Sequence, residues 1–282
     1  MFVTASSSAP VAAATPVDTS WTFAPVVLVA LAGYAVVYGL RWRRSRAEGG
    51  ARAAGWGRAA LWAAGISGLF VALISPLDRL GEQLATAHMV QHLLLADLVP
   101  ICFTLALTKW ILRPATRRIH RIERAAGPFG HPAFGVVAYV GAMWLWHVPA
   151  LYDAALEHPL LHVLEHLTFA AAGLLYWWHL LSPIRSRLRL GGLGPILYMA
   201  STKVLVGFLG VLLAFAPDLL FEFYDAGGER WGLTPLDDQQ VAGLVMALEQ
   251  SIVMGIALAY LFFRMLAESE AEEQRSERYG AV

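Results

Sequence analysis

The sequence predicts an all-α, polytopic membrane bundle of about seven transmembrane helices, with the N-terminus outside the cell and the C-terminus in the cytoplasm. Apolar residues make up 57% of the 282-residue chain and charged residues only 15%, against about 25% in soluble domains. The charges are concentrated in short connectors between long uncharged segments. Each such segment is near the ~20 residues that a helix needs to cross ~30 Å of hydrocarbon.

Seven apolar segments follow one another, and each is expected to be helical because lipid offers the backbone no hydrogen-bond partner. They are Trp21–Leu40, Ala59–Ile74, Leu84–Leu107, Ala133–Leu151, Leu160–Leu181, Pro195–Phe215 and Val241–Leu266. Together they define a transmembrane domain over residues 21–266. Residues 1–20 lack the basic start of a signal peptide, so we expect a disordered tail there. Residues 267–282 are charged and are expected to form a cytoplasmic C-terminal tail.

The distribution of basic residues predicts the orientation. Only Arg79 and Arg230 lie on one side of the predicted membrane, and Lys203 lies inside the sixth segment. The remaining eighteen lie on the other side: Arg41, Arg43, Arg44, Arg46, Arg52, Arg58, Lys109, Arg113, Arg117, Arg118, Arg121, Arg124, Arg185, Arg187, Arg189, Arg264, Arg275 and Arg278. Basic residues favour the cytoplasmic side.

Trp177 and Trp178, near the inner end of the fifth segment, are expected at the membrane–water interface. The formal net charge is zero, so we expect no nucleic-acid partner.

Two pairs of histidines are spaced four residues apart. His88 and His92 lie in the third segment (AHMVQHLLL), and His162 and His166 lie in the fifth (HVLEH). Four-residue spacing places both rings of a pair on one helix face. His147 lies at the outer end of the fourth segment (WLWHVP). At ~1.5 Å per residue, all five rings fall within roughly 12 Å of the outer surface.

Such a cluster predicts a metal site, because imidazole is costly in a membrane unless it is paired and is a common metal ligand. Thioether with imidazole suits copper, so Met89 and Met143 are added as candidate ligands. Asp238, where the seventh segment begins, is either a helix N-cap or faces the histidines. Glu165 could orient one histidine ring from behind. The predicted metal ligands are therefore His88, His92, His162, His166, His147, Met89, Met143 and Asp238.

Other interpretations of these histidines remain open. A single membrane histidine often forms only a hydrogen bond between helices, and paired histidines can also be axial ligands of haem. HVLEH matches the H-x-x-E-H pattern of inverted zinc proteases. No clear partner motif lies downstream, so we expect no catalytic residue and no turnover chemistry. A copper transporter is a further alternative.

Three charged residues lie deep inside the apolar segments. Lys203 and Glu249 fall midway along the sixth and seventh segments. Each is costly if unpaired, so we expect an ion pair between them, with a proton relay as the alternative. Asp97 lies deeper than His92 in the third segment. It is a possible relay residue or a hydrogen-bond partner of a neighbouring helix.

Several stretches resemble the bacterial CtaG family of cytochrome c oxidase assembly factors, in its caa-type branch. They are SPLDRL, HMVQHLLL, WHVPALYDAAL, HPLLHVLEHLTF, YWWHLLSP and WGLTPLDDQQVAGLVM, which span roughly residues 75–246. The sequence departs from the family's pattern in LLADLVPICF (residues 94–103), where a more proline-rich continuation is expected. The resemblance implies a seven-helix protein of the bacterial plasma membrane that helps to supply copper to a haem–copper oxidase. It also implies oxidase subunits as partners, beside membrane lipid.

Overall fold

The computed structural model describes residues 16–184 and 190–280, and within them the secondary structure is helical, with no strand. The α-helices are α1 (Pro25–Ala53), α2 (Trp56–Leu73), α3 (Pro76–Gly81), α4 (Ala85–Leu93), α5 (Val99–Ala106), α6 (Lys109–Leu112), α7 (Thr116–Ala126), α8 (Pro132–Trp146), α9 (Pro149–Glu157), α10 (Pro159–Leu181), α11 (Gly194–Ala214) and α12 (Pro235–Gly280). Two short 3₁₀ segments lie at Gly127–Gly130 and Glu222–Gly227.

The prediction of about seven membrane-spanning helices is confirmed. Among the described residues, six spans are long and apolar enough: α1, α2, α4 through α5, α10, α11 and α12. A seventh is counted if α8 and α9 form one bent span. The outer helices present apolar surface, as at Val26 and Val29, which are 82% and 72% exposed. Such faces fit contact with lipid. The side of the membrane on which each terminus lies stays a prediction.

The fourth span ends earlier than the sequence predicted. α8 stops at Trp146, and α9 leaves it at an angle of 76°. Pro149 begins α9, and a proline disfavours helical backbone in the residue before it. Val148 accordingly has an extended conformation, with φ −68° and ψ 122°. His147 therefore lies at a corner of the chain rather than inside a straight helix.

The third span is not a regular α-helix throughout. Leu94–Leu98 forms a π-helical turn between α4 and α5. Pro100 lacks the N–H group that would bond to the carbonyl of Ala96 in a regular helix. Gly173 on α10 packs directly on the backbone of Ala96, with no space for a β-carbon. A glycine at this position thus allows α10 to approach the irregular turn closely.

The two ends of the bundle differ in character. One end, where α4 and α10 begin, is called the histidine end. There Gln83 accepts a hydrogen bond from Arg230 at 2.7 Å, and the loop before α12 closes over the helices. At the arginine-rich end, Arg41 donates to the carbonyl of Ile111, and Arg58 donates to that of Leu105. The amphipathic helix α7 also belongs to this end. α12 continues through residues 267–280, so the described part of the predicted tail is helical.

Candidate metal centre

α4 and α10 bring four potential metal ligands together near the histidine end. His88, His92, Glu165 and His166 each offer one donor atom, and these four atoms lie within 4.8 Å of one another. His166 is partly buried and the other three are buried. The two histidine pairs that the sequence singled out therefore face each other across one helix interface.

The four-residue spacing produces this arrangement directly. His88 and His92 stack one turn apart, with ring centroids 4.1 Å apart and planes nearly perpendicular. The ring centroids of His162 and His166 are 4.3 Å apart, with their planes tilted by 55°. Gln91 points elsewhere on α4 and donates to the carbonyl of Ala72 at 2.7 Å. This bond between α4 and α2 helps to hold the histidine face of α4 toward α10.

Many polar atoms of this centre lack a hydrogen-bond partner among the described residues. They are both ring nitrogens of His88 and of His92, Nε2 of His147, of His162 and of His166, and both carboxylate oxygens of Glu165. Buried polar groups in proteins are almost always paired, and leaving one unpaired costs about 1–3 kcal/mol. So many unpaired donors and acceptors in one place are typical of a site that binds a ligand.

Glu165 occupies a different position from the one expected. Its Oε2 is 3.5 Å from Nε2 of His88, and its Oε1 is 3.4 Å from Nε2 of His92. Neither contact is a hydrogen bond, since both Glu165 oxygens and both of these Nε2 atoms lack a hydrogen-bond partner among the described residues. The carboxylate faces the same space as the imidazole nitrogens, so Glu165 joins the candidate ligand group rather than sitting behind a ring.

His147 and His162 flank this group of four. His147 Nδ1 donates to the carbonyl of Met143 at 2.6 Å, and this tautomer leaves the Nε2 lone pair free to bind a metal. The His147 ring lies 6.2 Å from that of His92. His162 is partly exposed, and its ring lies 5.4 Å from that of His88. Met89 and Met143 are buried in the apolar core, and their role as ligands stays a prediction.

Asp238 uses its carboxylate to hold the start of α4. Oδ2 accepts the N–H of Ala85 at 2.6 Å, and Oδ1 accepts that of Thr86 at 3.2 Å. It is therefore a cap of α4 rather than of its own helix. The start of α12 is capped by Thr234 and Asp237 through reciprocal hydrogen bonds. Asp238 contributes to the centre by fixing the helix that carries His88 and His92.

An aromatic cover separates the centre from the histidine end, and sequence reasoning did not find it. Tyr152 stacks on Phe221 at 3.8 Å and lies 5.2 Å from the His88 ring. Tyr224 donates to the carbonyl of Gly81 at 2.8 Å. Burial raises the pKa of Tyr224 well above its ordinary value, so the phenol stays protonated as a donor. All three aromatic residues lie outside the predicted apolar segments, and nothing in the sequence of those connectors links them to the histidines.

Asp97 is the centre of a second buried polar group. It accepts hydrogen bonds from Tyr139 at 2.5 Å, from Trp177 at 2.8 Å and from Gln250 at 3.4 Å. The Gln250 amide also donates to Glu249 Oε2 at 2.9 Å. Trp177 is fully buried, so its indole faces the inside of the bundle, and the interfacial depth expected for Trp177 and Trp178 stays a prediction.

The predicted ion pair between Lys203 and Glu249 is not formed. Among the ion pairs of the described residues, none within 4.0 Å includes either side chain. Lys203 is only partly buried, and Val204 beside it is exposed. Glu249 instead shares the Gln250 amide with Asp97. The sequence could place the two residues at similar depth but not at facing positions.

Comparison with known families gives one match. The family model of the cytochrome c oxidase caa3 assembly factor (Caa3_CtaG) matches residues 36–268. Comparison with curated proteins gives no significant match, and comparison with solved structures gives none. Because the match covers most of the chain, the chain belongs to the Caa3_CtaG family of cytochrome c oxidase assembly factors.

Proposed function

We propose that this assembly factor binds copper between α4 and α10 and passes it to a subunit of cytochrome c oxidase. The ligands are His88, His92 and His166 with Glu165. One observation carries the proposal: four donor atoms lie within 4.8 Å of one another, while their polar atoms lack protein partners. Copper is the cargo here, and the protein need not catalyse any reaction.

Charge supports a cation at this place. Glu165 is fully buried, and a buried carboxylate without a partner costs several kcal/mol in proteins. The nearest groups are imidazoles, which bind metals in their neutral form. A copper ion coordinated by both kinds of group would neutralise the carboxylate and satisfy the orphaned nitrogens together.

The type of donor atom favours copper over most other ions. Sites built from nitrogen and oxygen bind Cu²⁺ more tightly than the other divalent first-row metals. Imidazole also suits zinc, which is therefore the main competitor. A haem would instead need histidines on opposite sides of a porphyrin. The close packing of these rings, with centroids 4.1 to 6.1 Å apart, favours a single ion.

Two further histidines give copper a route through the centre. His162 is partly buried and lies next to His88, outside the group of four, so we assign it to the entry of the ion. His147 keeps a free Nε2 on the other flank. Exchange of one imidazole for another lets an ion move without leaving all its ligands. This suits a protein of the bacterial plasma membrane that delivers copper from the outer leaflet.

The test is the metal content of the purified full-length protein after copper loading and dialysis. We expect copper to be retained by the unaltered protein and lost almost completely from the His88→Ala/His92→Ala variant. The matched control is His120→Ala/His158→Ala, which removes two imidazoles outside the centre and should retain copper. Cells whose own copy is deleted should regain oxidase activity with the control variant but not with the first.

Three outcomes would contradict the proposal. Unchanged copper content in the His88→Ala/His92→Ala variant would show that these histidines do not bind copper. Retention of zinc in preference to copper would make it a zinc centre. A haem absorption band in the purified protein, lost on the same substitution, would identify the histidines as axial ligands.

A further inference from the structure

The buried group around Asp97 contains a second carboxyl group, and neither is used by the metal centre. Glu249 and Asp97 are both contacted by the side-chain amide of Gln250, at 2.9 and 3.4 Å. Asp97 and Gln250 are fully buried, and Glu249 is partly buried. The pair lies inside two membrane-spanning segments. Two carboxyl groups are thus bridged by one neutral amide, at a depth where charge is costly.

The surroundings do not provide for two negative charges. Among the described residues, no basic side chain lies within 4.0 Å of either carboxyl group. The groups that face the pair are Tyr139 from α8 and Tyr176 and Trp177 from α10, which are neutral. On α11, which packs against α12, Lys203 is the charged residue and makes no ion pair with Glu249. When two carboxyl groups share such a site, one of them holds a proton.

Hydrogen bonding distinguishes the two groups. Asp97 accepts from three donors, and the bond from the Tyr139 hydroxyl is 2.5 Å long. That length is typical of a hydroxyl bonded to an ionised oxygen. Glu249 accepts from one donor, at Oε2. Its Oε1 is buried and has no partner, so this oxygen is the free position for a proton.

We propose that Asp97, Gln250 and Glu249 form a proton-binding site inside the bundle, in which Asp97 carries the charge and Glu249 carries the proton. Gln250 holds the two carboxyl groups in fixed positions relative to each other by donating a hydrogen bond to both. The ligand of the site is a proton, and the exchanging atom is Glu249 Oε1. The site is independent of copper, and its test requires no metal.

The first experiment is infrared spectroscopy of the purified, metal-free protein at neutral pH. We expect the C=O band of a protonated carboxyl group, shifted in D₂O and absent from the Glu249→Gln variant. The Asp97→Asn variant should still show the band. As the pH is raised, the band should disappear at a lower pH than in the unaltered protein, because the negative charge beside Glu249 is gone. The control Glu277→Gln, in the exposed end of α12, should leave the spectrum unchanged.

The second experiment uses dicyclohexylcarbodiimide, an apolar reagent for protonated carboxyl groups. The O–H of the acid adds across one C=N bond to give an acylisourea, which rearranges to a stable acylurea with no leaving group. Peptide mass spectrometry should find the label on Glu249. A protein without a neutral carboxyl band, a band that survives Glu249→Gln, or a label on Asp97 would overturn the proposal. Loss of the band on adding sodium ions at constant pH would also overturn it, in favour of a cation site.

Discussion

The two buried polar groups of this protein lie along the same helix interface, yet they are built in opposite ways. Around Asp97, tyrosine, tryptophan and glutamine donors satisfy the carboxylate. Around Glu165, the neighbours are imidazoles, and neither carboxylate oxygen has a hydrogen-bond partner. The first group is closed by the protein's own side chains. The second group has donor and acceptor atoms that only a bound ligand would pair, which is why it is the candidate metal centre.

The largest effect that separates the two groups is expected from Glu165→Gln. Removing the charged ligand should weaken copper binding by more than about 100-fold, since even groups that only orient a metal's ligands cost about 10–100-fold in affinity. The metal-free protein should become more stable, because a glutamine amide can donate to Nε2 of His88 or His92. Competition with a calibrated copper chelator and thermal unfolding in detergent measure the two effects. A metal-free variant less stable than the unaltered protein would show that Glu165 is already satisfied.

The second largest effect is expected from Asp97→Asn, which should lower the stability of the metal-free protein where Glu165→Gln raises it. The variant places an amide where Tyr139 and Trp177 need an acceptor, so the free energy of unfolding should fall by about 2 kcal/mol, as for hydrogen bonds to charged groups. Denaturation in mixed detergent micelles measures it. Copper affinity should stay within about threefold, since it is set by the metal's own ligands. A large loss of affinity would mean that the two groups act as one site.

The smallest effect is expected from Asp238→Asn. Loss of the α4 cap should cost about 1 kcal/mol of stability, the usual cost of losing a helix cap. Copper affinity should fall less than in Glu165→Gln, because Asp238 acts only by holding the start of α4. Asp225→Asn, on the exposed 3₁₀ segment, is the matched control and should change neither quantity. If Asp238→Asn abolished copper binding while stability was retained, Asp238 would be a ligand after all.

The fold and the approach of the paired histidines could be predicted from the sequence, because both depend on periodicity. Apolar length located the spans, and four-residue spacing at matching depth paired His88 and His92 with His162 and His166. The rotation of each helix about its axis was not accessible in this way. For that reason Glu165 was expected behind a ring.

The group around Asp97 was largely missed for a different reason. Tyr139, Trp177 and Gln250 are neutral, and in an apolar segment they carry no signal that a buried partner exists. Lys203 and Glu249 did carry such a signal, since charge in a membrane demands explanation. Depth alone then paired them wrongly, because facing positions depend on helix rotation.

The π-helical turn at Leu94–Leu98 has a consequence for both groups. In a regular α-helix of 3.6 residues per turn, His92 and Asp97 would point about 140° apart. A π turn closes its hydrogen bonds over five residues instead of four, so each residue turns by a smaller angle and the two side chains point in more similar directions. His92 and Asp97 can then both address α8 and α10, although they serve different chemistry. The π turn thus sets the rotation of α5 relative to α4. Deleting one residue from Leu94–Leu98 would rotate α5 and turn Asp97 away from its present partners.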